Sequence, residues 1–255
     1  MDRARLLRTF WGLPVLRSLR VRRWLWDRRN DLGRLRRAVF ERLGSDRYSR
    51  PSLHGMDRVL ERHLPGEGGF FVEAGAYDGF IQSNTYWFER FRGWRGVLVE
   101  PVPHLYARCV RQRPAARVFN CALVPPGEEG PVRMSYGGLM SVVHGADGAG
   151  AAAEHARAGD MHGWDDSYEI EVPGRTLTSL LEEAGAREID LLSLDVEGFE
   201  ASALRGLDLD RFAPRFLLVE MGDARERRPE VEAVLGDRYE AIDEPSPMDV
   251  LYRRR

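Results

Sequence analysis

The sequence contains no lysine at all and only two cysteines, Cys109 and Cys121, among its 255 residues. Two cysteines exclude a disulfide scaffold and a four-cysteine zinc site. Both are expected as small buried hydrophobes in a reducing, cytoplasmic compartment. The longest uninterrupted apolar stretch, Phe10 to Leu16, runs for seven residues, against the roughly 20 that a bilayer-spanning helix needs. Its shortness, its flanking arginines and the lack of a small-residue cleavage site argue against a signal peptide, which leaves an arginine-rich mitochondrial presequence as the targeting alternative. No Gly-x-Ser-x-Gly elbow is present, so a serine hydrolase is unsupported. The histidines His54, His63, His104, His155 and His162 show no ligand spacing such as two four apart on one helix, and read as surface or packing residues.

What is present is a core. Apolar residues make up 43% and aromatics 10%, enough for one large domain with a short appendage and too much for a disordered chain. The net charge of -2 hides an asymmetry: residues 1–50 carry fifteen arginines and five acids, a balance of +10, and the remainder therefore stands at -12. Using arginine for every lysine points to GC-rich coding rather than to chemistry.

The first 50 residues read as short basic helices. Leu32, Leu35, Val39, Phe40 and Leu43 recur at helical spacing, with Asn30 or Asp31 as the cap and Gly44 as the stop. Pro14 breaks any longer helix upstream. Either this arm packs its apolar side on the main domain or on a second subunit, making a homo-oligomer, or it rests as a peripheral, basic amphipathic segment on an anionic membrane or acidic partner. No RRM, KH or zinc-finger module supports nucleic-acid binding.

From residue 51 onward, short apolar runs alternate with helical stretches. The pattern predicts a helix from Met56 to Leu64, strands at Gly69 to Val72, Gly96 to Glu100 and Arg117 to Ala122, and helices over Asn84 to Phe91 and His104 to Arg113. Further on it predicts strands at Asp190 to Asp195 and Arg215 to Glu220 with Ala201 to Leu207 helical between them, and a closing hairpin of Tyr239 to Asp243 with Asp249 to Arg253. Continuous apolar strands separated by helices imply a doubly wound α/β domain with a parallel sheet covered on both faces, here over residues 51–255. The glycine- and alanine-rich stretch 137–163 reads as a lid or insert.

Four of these strands end in an acid: Glu73, Glu100, Asp195 and Glu220. Ligands of open parallel sheets bind outside the carboxyl ends of the strands, and unpaired buried carboxylates are costly. Such a set therefore suits a ligand with hydroxyls or positive charge, or a metal. The loop Glu73-Ala74-Gly75-Ala76-Tyr77-Asp78-Gly79 has a tyrosine where a dinucleotide fingerprint needs its second glycine, which disfavours an NAD-dependent oxidoreductase. Glu73 and Asp78 would repel a diphosphate and suit the ammonium and sulfonium of S-adenosylmethionine. Glu100, 21 residues after Gly79, is placed to take the two hydroxyls of a ribose.

Gly75 to Gly79, Ser83-Asn84-Thr85, Gly93-Trp94-Arg95-Gly96 with Val99-Glu100-Pro101, and Asp195-Val196-Glu197-Gly198-Phe199-Glu200 together resemble the FkbM family of S-adenosylmethionine-dependent methyltransferases, over about residues 52–223. The resemblance implies a Rossmann-like class I methyltransferase sheet and methylation of a hydroxyl on a small metabolite, a sugar or natural-product intermediate. By motif, Glu73, Gly75 and Gly79 would line the methionine part of the cofactor, Glu100 would hold the ribose, Asn120, Cys121 and Ala122 would lie by the adenine, and Ala76, Tyr77, Asn84 and Pro101 would also belong to the cofactor site. Asp195 would touch the cofactor or act in catalysis. Related O-methyltransferases hold a divalent metal between carboxylates at two such strand ends. This suggests magnesium at Asp195 and Glu220, with Glu197 or Asp223 as third ligand. Without a metal, one of these carboxylates or His144 would serve as base. Ser141, in a motif that recurs in the family, would contact the acceptor or serve only in a loop turn. The rival reading is a non-catalytic member that binds cofactor or a partner and is localised by its basic arm.

Overall fold

The computed structural model describes residues 32–64, 66–136, 142–143, 168–221 and 224–255. Ser141, His144, His155, His162 and Asp223 lie outside these residues, as does the expected lid apart from Val142 and Val143.

Residues 32–42 form helix α1. The elements after it are α2 (Met56–His63), β1 (Phe70–Ala74), α3 (Tyr86–Arg92), β2 (Arg95–Val99), α4 (Pro103–Gln112) and β3 (Ala116–Phe119). The short strands β4 (Ala122–Leu123), β5 (Gly130–Tyr136), β6 (Val142–Val143) and β7 (Tyr168–Arg175) precede α5 (Leu177–Ala184), β8 (Leu191–Leu194), α6 (Glu200–Arg205) and β9 (Phe216–Glu220). Helix α7 (Ala224–Leu235) and the hairpin β10 (Tyr239–Asp243) and β11 (Asp249–Arg254) complete the chain.

Seven strands form one sheet in the order β10-β11-β9-β8-β1-β2-β3. The strands from β9 to β3 run parallel, and β11 enters antiparallel to β9 with Asp249 opposite Glu220. This is the expected doubly wound, Rossmann-like and mostly parallel α/β sheet, closed by a reversed hairpin. Its inner strands β1, β2, β8 and β9 are largely apolar because both faces are covered. Val72, Ala74, Val97, Leu192, Leu194, Leu217 and Val219 join Leu180 and Leu181 of α5 and Leu204 of α6 in one core cluster. The alternate residues Phe71, Leu98, Leu191, Phe216 and Leu218 join Met56 and Leu60 of α2 and Trp87 and Phe88 of α3 in the other. Strand order reverses between β1 and β8, so their carboxyl ends open the crevice where such folds bind ligands.

Three features depart from the sequence reading. The strand expected over residues 117–122 is two: β3 leaves the sheet at Asn120, and β4 starts a second sheet ordered β4-β7-β5-β6. In that sheet β5 and β7 pair antiparallel from Gly130–Gly174 to Tyr136–Tyr168. It packs Met134, Tyr136 and Val172 against Val102 and Leu105 beside the crevice. Finally, α1 turns its apolar side away from the main domain, against the first of its expected packings and in keeping with the second-subunit and membrane alternatives: Leu32, Leu35, Val39 and Leu43 are exposed, and the inner face is made of Arg34, Arg37 and Glu41. Arg34 reaches Asp78 at 3.4 Å, Arg37 stacks 3.5 Å over the Phe80 ring, and Glu41 accepts from Tyr86 Oη at 2.8 Å and Arg90 Nε at 2.8 Å. Among the described residues no helix is long and apolar enough to cross a membrane.

Candidate active site

A cavity of about 270 Å³ opens at the carboxyl ends of β1, β2, β8 and β9. Its geometry begins with Gly75. A Cβ there would lie 1.9 Å from the Asp195 carbonyl oxygen, and the residue has φ +84°. Only glycine lets the turn after β1 pass this close to the end of β8.

The turn is held from below by a charge network. Glu73 is buried and accepts from Ser83 Oγ at 2.8 Å, Asn84 N at 2.6 Å and Thr85 Oγ1 at 2.7 Å. Arg113, wholly buried, sits 3.3 Å from Glu73 and 2.7 Å from Glu89. It also donates to Gly79 O at 3.2 Å, Ser83 Oγ at 3.0 Å and Thr85 Oγ1 at 2.8 Å. Burying these charges is tolerable because nearly every polar atom is paired. The Glu73 carboxylate thus borders the cavity with its charge matched from within. Asp78 does not line the cavity: it accepts from Phe80 N and Ile81 N and faces Arg34. Of the two carboxylates expected at the ammonium and sulfonium, Glu73 therefore lines the cavity and Asp78 faces Arg34 outside it.

Glu100 is different. It is buried, it lines the cavity, and its only hydrogen-bond donors among the described residues are the backbone amides of Tyr77 and Val102, both at 2.8 Å. Desolvation pushes its pKa up to about 8; the two amides pull the other way, and Asp78 adds a smaller upward push. A buried carboxyl without a cation partner is a strong acceptor for ligand hydroxyls.

Of the other residues expected at the cofactor, Gly75, Tyr77, Asn84, Pro101, Cys121, Ala122 and Asp195 line the cavity. Ala76, Gly79 and Asn120 do not. Ala76 belongs to the core beneath. Gly79 packs against Arg113 and Cys109, 3.0–3.1 Å from where a Cβ would stand. Asn120 donates its amide to the carbonyls of Glu100 and Pro101 at 2.9 and 2.7 Å, fixing the shape of that turn. Cys121 with Ala122, Leu105 and Met134 makes an apolar wall, and burial pushes the Cys121 thiol up to about 12. Neither cysteine is bridged.

The opposite wall is acidic. Asp195 is held well above the ordinary carboxyl range by desolvation first and then by Glu220, to which it also hydrogen-bonds, with Glu197 and Glu200 adding to the repulsion. Glu197, at φ +52°, is raised to about 8 by burial, Glu220 and Glu200. Glu200 points back at its own turn, accepting from Gly198 N at 2.9 Å with Arg227 3.7 Å away. A divalent ion would itself stabilise the ionised forms of Asp195 and Glu220 and would take a third ligand alongside. Among the described residues no three His, Cys, Asp or Glu side chains converge as a metal site. The described residues thus give no support for the magnesium expected at Asp195, Glu220 and Glu197, and Asp223, the other candidate third ligand, lies outside them.

The sequence reading missed Arg113, Ser193 and the apolar lining residues Leu53, Ile81, Met134 and Phe199. Ser193 was legible as a hydroxyl within a buried apolar strand; its Oγ accepts from Asn84 Nδ2 at 3.0 Å. His54, His63 and His104 stay outside the cavity lining.

Several solved methyltransferases are similar in fold. The FkbM methyltransferase from Methylobacillus flagellatus is 15% identical with a TM-score of 0.43, over 73% of this chain and 43% of its own. This chain therefore spans less than half of that protein's length. A methyltransferase from Geobacter sulfurreducens is 13% identical over 100% of this chain and 99% of its own, with a TM-score of 0.42. An SAH-bound Podospora anserina methyltransferase is 12% identical over 100% and 97%, with a TM-score of 0.43. No curated protein matches the sequence. The family model of the methyltransferase FkbM domain matches residues 73–242, two-thirds of the chain, and the protein belongs to the FkbM methyltransferase family.

Proposed function

We propose that this protein binds S-adenosylmethionine in the cavity between β1, β2 and β8 and transfers its methyl group to a hydroxyl of a small, sugar-like or natural-product acceptor. The observation that carries the reading is Glu100: a buried carboxyl at the end of β2, held by two backbone amides and open to the cavity. Ribose hydroxyls donating to it would relieve its desolvation. The apolar wall of Leu105, Cys121, Ala122 and Met134 suits a flat base beyond the ribose. The Gly75 turn allows the methionine end to approach the tip of β8.

Chemistry then belongs to the acidic wall. The acceptor oxygen attacks the methyl carbon in line with the sulfur, and the carbon–sulfur bond breaks with its electron pair going to sulfur. The sulfonium becomes a neutral thioether, and the hydroxyl proton passes to a carboxylate. The Asp195–Glu220 pair supports that last step. Burial, and then the Glu220 carboxyl beside it, raise the affinity of Asp195 for a proton, which brings it nearer the working pH of a general base. This scheme needs no metal, so unchanged turnover in chelator is the outcome expected of it, and loss of turnover that magnesium restores would favour the metal-assisted alternative.

Calorimetric titration with S-adenosylmethionine, followed by methyl transfer to a panel of polyhydroxylated acceptors, tests the reading. Glu220→Gln is expected to keep cofactor affinity and to lower turnover by about 10²–10⁴-fold. Cofactor binding with no turnover on any acceptor would instead favour a non-catalytic member.

A further inference from the structure

Helix α1 uses its two faces in the opposite sense from a helix that packs on a core. Its charged face is the docked one: Arg34 is engaged with Asp78, Arg37 donates to Gln112 at 2.7 Å and stacks on Phe80, and Glu41 receives Ser49, Tyr86 and Arg90. Its apolar face is presented to solvent, with Leu32 69%, Leu35 64%, Val39 45% and Leu43 77% exposed. At 100° per residue these four fall within an arc of about 80°. Arg36 and Arg42, both exposed, stand on the two flanks of that arc, and the exposed Arg47 follows just beyond the helix.

We propose that this face docks on an anionic lipid bilayer. Leucines set between flanking arginines are the arrangement of an interfacial helix: the apolar stripe enters the acyl boundary while the guanidinium groups remain at the headgroups. The charge of the whole chain is complementary to the same orientation. Residues 1–50 carry +10 and the rest of the chain -12. An anionic surface therefore attracts the arm and repels the methyltransferase domain. A second copy of the chain fits the face less well, because a twofold contact along α1 would set its own exposed arginines near their equivalents without an exposed acid on the face to offset them. The Asp78–Tyr86 loop, which α1 grips, also frames the cavity through Ile81, Gln82 and Asn84, so docking would bring that edge of the molecule near the bilayer.

The test uses the full chain, co-sedimented with vesicles of phosphatidylcholine alone and of phosphatidylcholine mixed with phosphatidylglycerol. Binding is expected only to the mixed vesicles. The double substitution Leu35→Asp with Val39→Asp, and separately Arg36→Gln with Arg42→Gln, should each weaken that binding by about tenfold or more. Melting temperature and cofactor affinity should stay near the parent values, because all four positions are exposed. Wild-type affinity for mixed vesicles in both variants would overturn the proposal, as would equal binding to neutral vesicles or none to either. A parent protein that is dimeric in solution, and that the Leu35 and Val39 substitutions split into monomers, would overturn it in favour of a second copy.

Discussion

At the scale of single residues, the two acids that close β1 and β2 show how the same side chain can serve scaffold or ligand. Glu73 is saturated by three hydrogen bonds and a buried guanidinium. Glu100 has two amides and no cation, and its pKa rises to about 8. Near pH 7 Glu100 therefore carries its proton in the unliganded protein, and a ligand that donates two hydroxyls favours the ionised form. Cofactor binding should release protons at pH 7 and tighten as pH rises from 6 to about 8.5. Titrations in buffers of different ionisation enthalpy measure that release directly, and Glu100→Gln should abolish most of it. Glu100→Ala should weaken S-adenosylmethionine by about 1–3 kcal/mol, the ordinary cost of losing a charged hydrogen-bond partner; unchanged affinity would remove Glu100 from the site.

At the scale of elements, the turn between β1 and α3 stands on Arg113, which no motif marks. An arginine at the end of α4 reads in sequence as a solvated helix end, yet it is buried and ties Glu73, Glu89, Gly79, Ser83 and Thr85 together. Arg113→Met should cost about 3–5 kcal/mol in denaturant unfolding, because it strands two buried carboxylates. Arg113→Lys should recover only part of that, since an ammonium cannot span all five partners. The parallel strands were legible because both faces are buried and their apolar runs are continuous, and the strand-end acids followed from them. The second sheet was not, because β5 and β7 are half exposed and interrupted by Pro131 and Pro173, which sit opposite each other. Their period of two, Val132-Met134-Tyr136 and Ile170-Val172, was the available signal. Helix α1 was found from its spacing, but its orientation was not. Amphipathicity names an apolar face without saying what covers it, and the partners of the charged face, from Asp78 to Arg90, are distant in sequence.

For the whole molecule, the cavity is a store of desolvated carboxyls, and this fixes how stability responds to pH. Glu100 and Glu197 are each raised to about 8 from an ordinary value of 4.5, and Asp195 is raised well above its own. Below the ordinary value, folded and unfolded chains alike carry these protons and the groups cost nothing. Between about pH 4.5 and 8 the unfolded chain releases them while the folded chain holds them, so stability falls as pH rises. Acids lowered by surface arginines, Glu183 and Glu240, act in the other direction but only below the ordinary carboxyl range, while Glu200, Asp57 and Asp249, also raised by burial, act in the same direction as the cavity carboxyls. The unliganded protein should therefore melt at a higher temperature at pH 5.5 than at pH 8. Glu100→Gln should flatten that slope by removing one of the groups. Because a cofactor that favours ionised Glu100 binds tighter at higher pH, its stabilising increment at fixed excess should be larger at pH 8 than at 5.5. Melting curves at the two pH values, with and without S-adenosylmethionine, measure both effects. A flat profile without ligand would mean that the carboxyls of the crevice are better hydrated than their burial implies, and an increment independent of pH would detach Glu100 from the cofactor.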